Sequence, residues 1–234
     1  GDDTIDGGSG NDSLIAYRGS DTVIGGTGDD LIGVYDFDDT VDGGADTDTL
    51  YMLLNTLTSG VTLDFTDLLS GGSLVVGTGS ITGIERLGDG TNFNSSTMTD
   101  FDDSVIIPVS YMFDVDFDLG HGNDYMTSGS GDDIIDGYYE DDIIYGNDGD
   151  DELFGNYGDD QLFGGNGNDA LADGAGGTNT MNGEAGDDFI FYLNGANTVD
   201  GGADIDTVQL DDTSGTILDL SNQANNAGGA LNDT

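Results

Sequence analysis

The chain has 234 residues, 42 of them glycine, and sets 48 acidic residues against two basic ones, Arg18 and Arg86, for a formal net charge of -46. Nucleic acid and anionic membrane are both recognised by clustered Lys or Arg, so neither is expected as a partner. The absence of cysteine removes disulfides and thiolate metal sites, and no apolar run approaches the roughly 18 to 20 residues that would insert into a bilayer.

From the first residues a period of nine is visible. Asp3, Asp12, Asp21, Asp30, Asp39 and Asp48 recur at that interval, each followed two places later by an aliphatic residue: Ile5, Leu14, Val23, Ile32, Val41 and Leu50. A fixed short period marks one structural unit stacked on itself. With the aspartate numbered sixth, glycines gather at the first, second and fourth positions, as in GGSGNDSLI at 7–15 and GGTGDDLIG at 25–33. Glycine there permits positive φ and close backbone approach, so six residues make a turn. The other three make a short strand whose aliphatic side chain points inward. Two units close one coil, and coils stack at about 4.8 Å through parallel ladders. Asp12 is thereby expected near Asp30, and Asp21 near Asp3 and Asp39.

After this first array (1–50), residues 51–96 lose the aspartate period. Their β-rich strings at 61–65, 74–76 and 81–87 predict wider coils of the same solenoid, without the periodic carboxylates. Residues 97–118 follow as a degenerate repeat and connector, TMTDFDDSVI echoing YDFDDTVD at 35–42, with Pro108 marking an edge or loop. A second array (119–209) carries Asp124, Asp133, Asp142, Asp151, Asp160 and Asp169, partnered by Met126, Ile135, Ile144, Leu153, Leu162 and Leu171. The interval then stretches once to ten, placing Asn179 in the sixth position before Asp188, Asn197 and Asp206. Residues 210–234 repeat the opening of the 51–96 segment, GTILDLSN matching GVTLDFTD. The natural chain is expected to continue past Thr234, and Gly1 already lies inside a repeat.

So much like charge would ordinarily leave a chain disordered, yet the periodic aliphatics argue for order. A multivalent cation reconciles the two, making folding metal-dependent. Abundant carboxylates and turn carbonyls, no Cys and one His suit a hard cation. Calcium tolerates irregular shells of 6 to 8 oxygens better than magnesium does.

The strings GGSGNDSLI, GGTGDDLIG and, at 164–172, GGNGNDALA resemble the nonapeptide GGxGxDxUx of RTX proteins, the repeat-in-toxin family with haemolysin-type calcium-binding repeats. The resemblance covers 1–50 and about 119–209. It implies an all-β fold, a right-handed parallel β-roll or β-solenoid with calcium ions bound in the turns, between consecutive turns on one edge. The implied carboxylate ligands are Asp3, Asp12, Asp21, Asp30, Asp39, Asp48, Asp124, Asp133, Asp142, Asp151, Asp160, Asp169, Asp188 and Asp206. The implied turn glycines are Gly8, Gly10, Gly26, Gly28, Gly120, Gly122, Gly129, Gly131, Gly165 and Gly167. Same-edge pairs give roughly six to ten ions. The strongest sites are expected around Asp12, Asp30, Asp124, Asp133 and Asp169. Weak ones are expected at Asp39, where Tyr35 and Phe37 replace glycine, at Asp142, where Tyr138 and Glu140 do, and at the neutral Asn179 and Asn197. Asn147 and Asn156 are milder changes, because Asn tolerates the left-handed region.

Catalysis is not expected. His121 stands alone in a glycine turn, no G-x-S-x-G or H-E-x-x-H string occurs, and aspartates neutralised by calcium cannot act as acid or base. Tyr145 and Phe163 share an outward strand position, Phe154 and Phe191 point outward from the opposite sheet, and Tyr139 and Tyr157 share a turn position. These rings suit packing, or a docking strip for a glycan or another subunit. The expected role is a calcium-dependent structural or assembly segment of a large secreted or cell-surface bacterial protein, such as an S-layer, adhesin or extracellular filament. The alternative is a carbohydrate-binding or folding and secretion module attached to a toxin or hydrolase. Type I secretion is implied by the resemblance.

Overall fold

One inward aliphatic side chain per nine residues organises the molecule. The computed structural model describes residues 1–36, 38–54, 57, 59–66, 68–75, 80–88, 96–194, 197–210 and 217–219. Within them Val23, Ile32, Leu50, Met126, Ile135, Ile144, Leu153, Leu162 and Leu171 are all 0% exposed and belong to one continuous apolar core. Each such burial contributes about 1.5–3 kcal/mol, so the stacked repeats supply the main driving force that glycine-rich turns cannot.

In the first array, β1 (Thr4–Ser9), β2 (Ser13–Ala16), β3 (Thr22–Thr27), β4 (Leu31–Val34), β5 (Thr40–Ala45) and β6 (Thr49–Met52) alternate between two parallel sheets. Ile5 pairs with Val23 and Val23 with Val41 on one sheet; Leu14 pairs with Ile32 and Ile32 with Leu50 on the other. The period of nine read from the sequence is therefore the physical register. Strands such as β1 and β3 are longer than the three residues expected. The ladder resumes on the far side of the first-position glycine, pairing Gly8 with Gly26 and Ser9 with Thr27.

Between the arrays lie β7 (Thr62–Asp64), β8 (Ser73–Leu74), β9 (Ser80–Thr82), β10 (Arg86–Leu87), β11 (Ser96–Thr97) and β12 (Ser104–Ile106). β9 extends the first sheet on β5 and β10 extends the second on β6, while β7 stacks on β12 at the start of the next array. All these pairings are parallel except β8 with β9. Phe37, Val76, residues 77–79, 89–90 and most of 210–234 lie outside the described residues. Of that last segment Ile217–Asp219 is seen, paired with Thr198–Asp200.

The second array continues as two parallel sheets that begin at β11 and β7. Val105 pairs with Met126, which places the degenerate repeat in line with the array. Pro108 follows β12, and its carbonyl accepts the Tyr111 N–H at 2.8 Å. The extra residue before Asn179 is absorbed in a turn, because Leu162 pairs with Met181 and Leu171 with Ile190 without a break in either sheet. Among the described residues no helix is long and apolar enough to cross a membrane.

Candidate metal centre

Each sixth-position aspartate stands where a turn hands over to a strand, and its side chain folds into the stack. Asp48, Asp142 and Asp160 are 0% exposed, and Asp30, Asp124, Asp133, Asp151, Asp169 and Asp188 are 1–2% exposed. Asp21, Asp39 and Asp206 are also buried, whereas Asp12 is half-buried and Asp3, in the end coil, is exposed.

Carboxylates expected merely to stack are in fact threaded through the backbone. The Asp3 N–H donates to Asp21 Oδ1 at 2.8 Å, Asp12 to Asp30 at 2.8 Å, Asp21 to Asp39 at 2.9 Å and Asp30 to Asp48 at 2.9 Å. The same bond joins Asp124 to Asp142, Asp133 to Asp151, Asp142 to Asp160, Asp151 to Asp169, Asp169 to Asp188 and Asp188 to Asp206. One carboxylate oxygen thus fixes the stacking of coil on coil.

The other oxygen is left over. Oδ2 of Asp12, Asp30, Asp39, Asp48, Asp124, Asp133, Asp142, Asp151, Asp160, Asp169 and Asp188 is buried and accepts no hydrogen bond. Leaving buried charge uncompensated is costly, and the chain has no lysine to compensate it. Arg86 instead stacks over the Phe113 ring at 4.3 Å, and His121 Nδ1 lies 3.3 Å from Glu140 Oε2 at an exposed position. Burial, reinforced by neighbouring carboxylates, pushes Asp142 up to about 9, Asp151 to about 8, and Asp124 and Asp188 to about 7. Burial likewise raises Asp133 to about 7, and Asp39, Asp48, Asp160 and Asp169 to about 6.

The orphan oxygens face the first residue of their own turns. A Cβ added to Gly7 would lie 3.0 Å from Asp12 Oδ2 and 2.7 Å from the Gly25 carbonyl of the next coil. Gly25, Gly43, Gly146, Gly164 and Gly183 face Asp30, Asp48, Asp151, Asp169 and Asp188 in the same way. Each of these turns therefore holds a cradle of carboxylate and carbonyl oxygens, the donor set of a hard cation, and the residues fit calcium. Among the described residues no three Asp, Glu or His side chains converge on one point, so an ion here would draw much of its shell from the backbone.

The sequence pattern did not separate two roles of glycine. Gly8, Gly10, Gly26, Gly28, Gly120, Gly122, Gly165 and Gly167 have φ between 88° and 143°, as the turn requires. The first-position glycines and Gly129 and Gly131 lie outside that region. At the first position glycine is needed for the space its missing Cβ leaves. Asn147 and Asn156 adopt φ of 74° and 68°, in line with their expected tolerance. Tyr138 and Glu140 are held at 72° and 69°, so the turn before Asp142 keeps a left-handed backbone despite losing those glycines. Ser128 fills the first position of the Asp133 turn, its hydroxyl donating to the Gly146 carbonyl at 2.6 Å.

A residue the sequence reading passed over, Glu85, closes the first array. The Asp48 N–H donates to Glu85 Oε2 at 3.0 Å, in the place of the next sixth-position aspartate, and Gly83 O meets Gly43 as Gly43 O meets Gly25. The signal was present, since Glu85 precedes Leu87 by two residues and Leu87 pairs with Leu50. Replacing Glu85 with Ala is expected to cost about 1–2 kcal/mol, read in urea melts at saturating calcium, and an unchanged melt would remove its capping role.

The outward rings stack on one another: Tyr145 on Phe163 at 4.6 Å and 8°, His121 on Tyr139 at 4.4 Å and 9°, Tyr139 on Tyr157 at 5.4 Å and 6°.

Parallel coils with a buried, unpartnered carboxylate oxygen turn after turn define a cation-binding β-solenoid. The family model for the RTX calcium-binding nonapeptide repeat, in four copies, matches residues 1–32, 35–51, 118–138, 136–171 and 173–208. These segments make up more than half of the chain, which belongs to that family. It is a calcium-binding repeat segment of a secreted protein. No curated protein matches the chain.

Proposed function

We propose that the turns of Asp12, Asp30, Asp39, Asp48, Asp124, Asp133, Asp142, Asp151, Asp160, Asp169, Asp188 and Asp206 hold roughly six to ten calcium ions between successive turns. Bound calcium supplies the positive charge that the buried Oδ2 atoms lack. The observation carrying this reading is the repeated orphan oxygen, which in most of these turns lies beside a Cβ-free glycine. Asp3 and Asp21 contribute on the same edge, with turn carbonyls completing each shell. Because the cradle exists only in the stacked state, calcium favours folding by mass action, and the chain stays unfolded where free calcium is scarce.

The segment then serves as a calcium-set structural or assembly element of a large secreted or cell-surface bacterial protein, of the S-layer, adhesin or filament kind. Exposed Tyr157, Phe189 and Ile205, at 56%, 42% and 56%, supply apolar contact surface for such assembly. The paired stacking of Tyr145 with Phe163 and Tyr139 with Tyr157 occupies the ring faces a sugar would need, which favours assembly over glycan binding.

Equilibrium dialysis with elemental analysis, coupled to sedimentation, tests both levels. The expected result is several calcium ions per chain, retained against excess sodium, with multimers formed in calcium alone. A chain binding no calcium ends the metal reading; a calcium-loaded strict monomer ends the assembly reading.

A further inference from the structure

The turn at 173–179 departs from its neighbours at two positions at once. Its first residue is Asp173, where Gly137, Gly146, Gly155, Gly164, Gly183 and Gly201 stand in other turns of the array, and Asn179, which takes the sixth-position role, comes seventh because this turn carries one extra residue. The turn thus keeps one carboxylate and moves it from the end of the turn to the beginning.

Burial makes that exchange consequential. Asp173 is 3% exposed and Asn179 1%. Asn179 keeps the structural half of the sixth-position role, because its Oδ1 accepts the Asp160 N–H at 2.7 Å. Its amide turns to Asp173, Nδ2 donating to Asp173 Oδ2 and also to the Gly176 carbonyl at 3.2 Å. Two oxygens remain without any partner, Asp173 Oδ1 and Asp160 Oδ2, both buried. Asn179 ties the two residues together, its Oδ1 on the Asp160 N–H and its Nδ2 on Asp173 Oδ2, and the Asp160 carboxylate adds to the burial that raises the pKa of Asp173. Neither arginine stands beside them: Arg86 lies over Phe113, and Arg18 is in the first coil, its carbonyl bound to the Gly1 amine.

We infer that Asp173 turns the Asn179 repeat into a functional divalent-cation site of exchanged pattern, in which the first-position carboxylate does the work of the missing sixth-position one. Its orphan Oδ1, with Asp160 Oδ2, supplies the negative charge, and Asn179 orients Asp173 through its amide. The site takes a hard, oxygen-seeking divalent ion, calcium in a calcium-rich medium. This rests on the reading that the other cradles hold calcium, and it extends that reading to a turn whose sixth-position role falls to a neutral residue.

The test counts ions per full-length chain by equilibrium dialysis at saturating calcium, with circular dichroism to confirm folding. If the wild type holds a given number, Asp173→Asn, which keeps size and hydrogen bonding, is expected to hold one fewer. The double variant Asp173→Gly with Asn179→Asp, which restores the common pattern, is expected to return to the wild-type number. Asp173→Asn at the full number overturns the proposal, since the Asp173–Asn179 pair would then be a plug in a turn without an ion. Should Asp173→Asn fail to fold, the double variant decides: the wild-type number supports the exchange, and one ion more overturns it. A wild type that binds no calcium refutes the general calcium reading instead, and the two failures are therefore distinct.

Discussion

Stripped of calcium at pH 8 to 9, the chain is expected to lose its far-UV β signal, and to regain part of it as the pH is lowered towards 4. The sign follows from the buried carboxylates. Asp124, Asp133 and Asp188 are raised to about 7, Asp151 to about 8 and Asp142 to about 9 in the fold, from the ordinary carboxylate value of 3.8. A group whose folded pKa is raised favours the fold when protonated. That contribution is fully present below the unfolded value and is lost as pH rises through the folded one. The metal-free solenoid is therefore weakest above about pH 9, where nearly all of these groups are ionised without counter-charge. With calcium the order reverses, because a cation needs the ionised form and protons compete for the same oxygens. The stabilisation conferred by calcium, measured as the difference in melting temperature with and without chelator, should be largest at about pH 9 and shrink steadily towards pH 4. A difference that stays constant across that range would mean that the buried aspartates do not hold the ion.

The stacking was legible because the core signal and the turn signal share one period. Val23, Ile32, Leu50 and their counterparts repeat every nine residues in the sequence and pair across coils in the structure. What escaped the pattern was the use made of individual atoms. A period marks Asp30 as periodic but cannot divide its carboxylate into an Oδ1 bound to the Asp12 amide and an Oδ2 with no partner. Nor can it distinguish Gly26, required for its φ of 112°, from Gly25, required because a Cβ would strike the Gly43 carbonyl. Glu85 was hidden by distance, 37 residues past Asp48, although its spacing to Leu87 is that of every aspartate to its aliphatic partner. Asn179 looked like a gap because the sixth position was read alone, while the compensating Asp173 lies six residues before it. Irregularities in this chain occur in pairs, and a pair becomes visible when the turn is treated as one electrostatic unit.

The split between the two glycine roles predicts different ion counts for two Gly→Ala changes that both destabilise. Gly164 lies outside the left-handed region, so by dihedral alone alanine should be tolerated, and reduced unfolded-state entropy would stabilise the fold by about 0.4–1 kcal/mol. The added Cβ would nevertheless press on Asp169 Oδ2 and sit 2.8 Å from the Gly183 carbonyl, inside the cradle itself. Overpacking of this sort costs about 1–3 kcal/mol, and here it also displaces the oxygens proposed to hold the ion. Gly164→Ala is accordingly expected to lower stability at saturating calcium and to bind one ion fewer. Gly8 presents the reverse case: its φ is 88°, yet a Cβ there meets nothing within 4 Å. Gly8→Ala should cost about 1–2 kcal/mol through backbone strain and leave the ion count unchanged. Urea melts would record a loss in both variants, whereas dialysis separates them. Full ion binding by Gly164→Ala would show that first-position glycines serve the turn alone, and that the cradle between Asp169 and Gly183 is not where calcium is held.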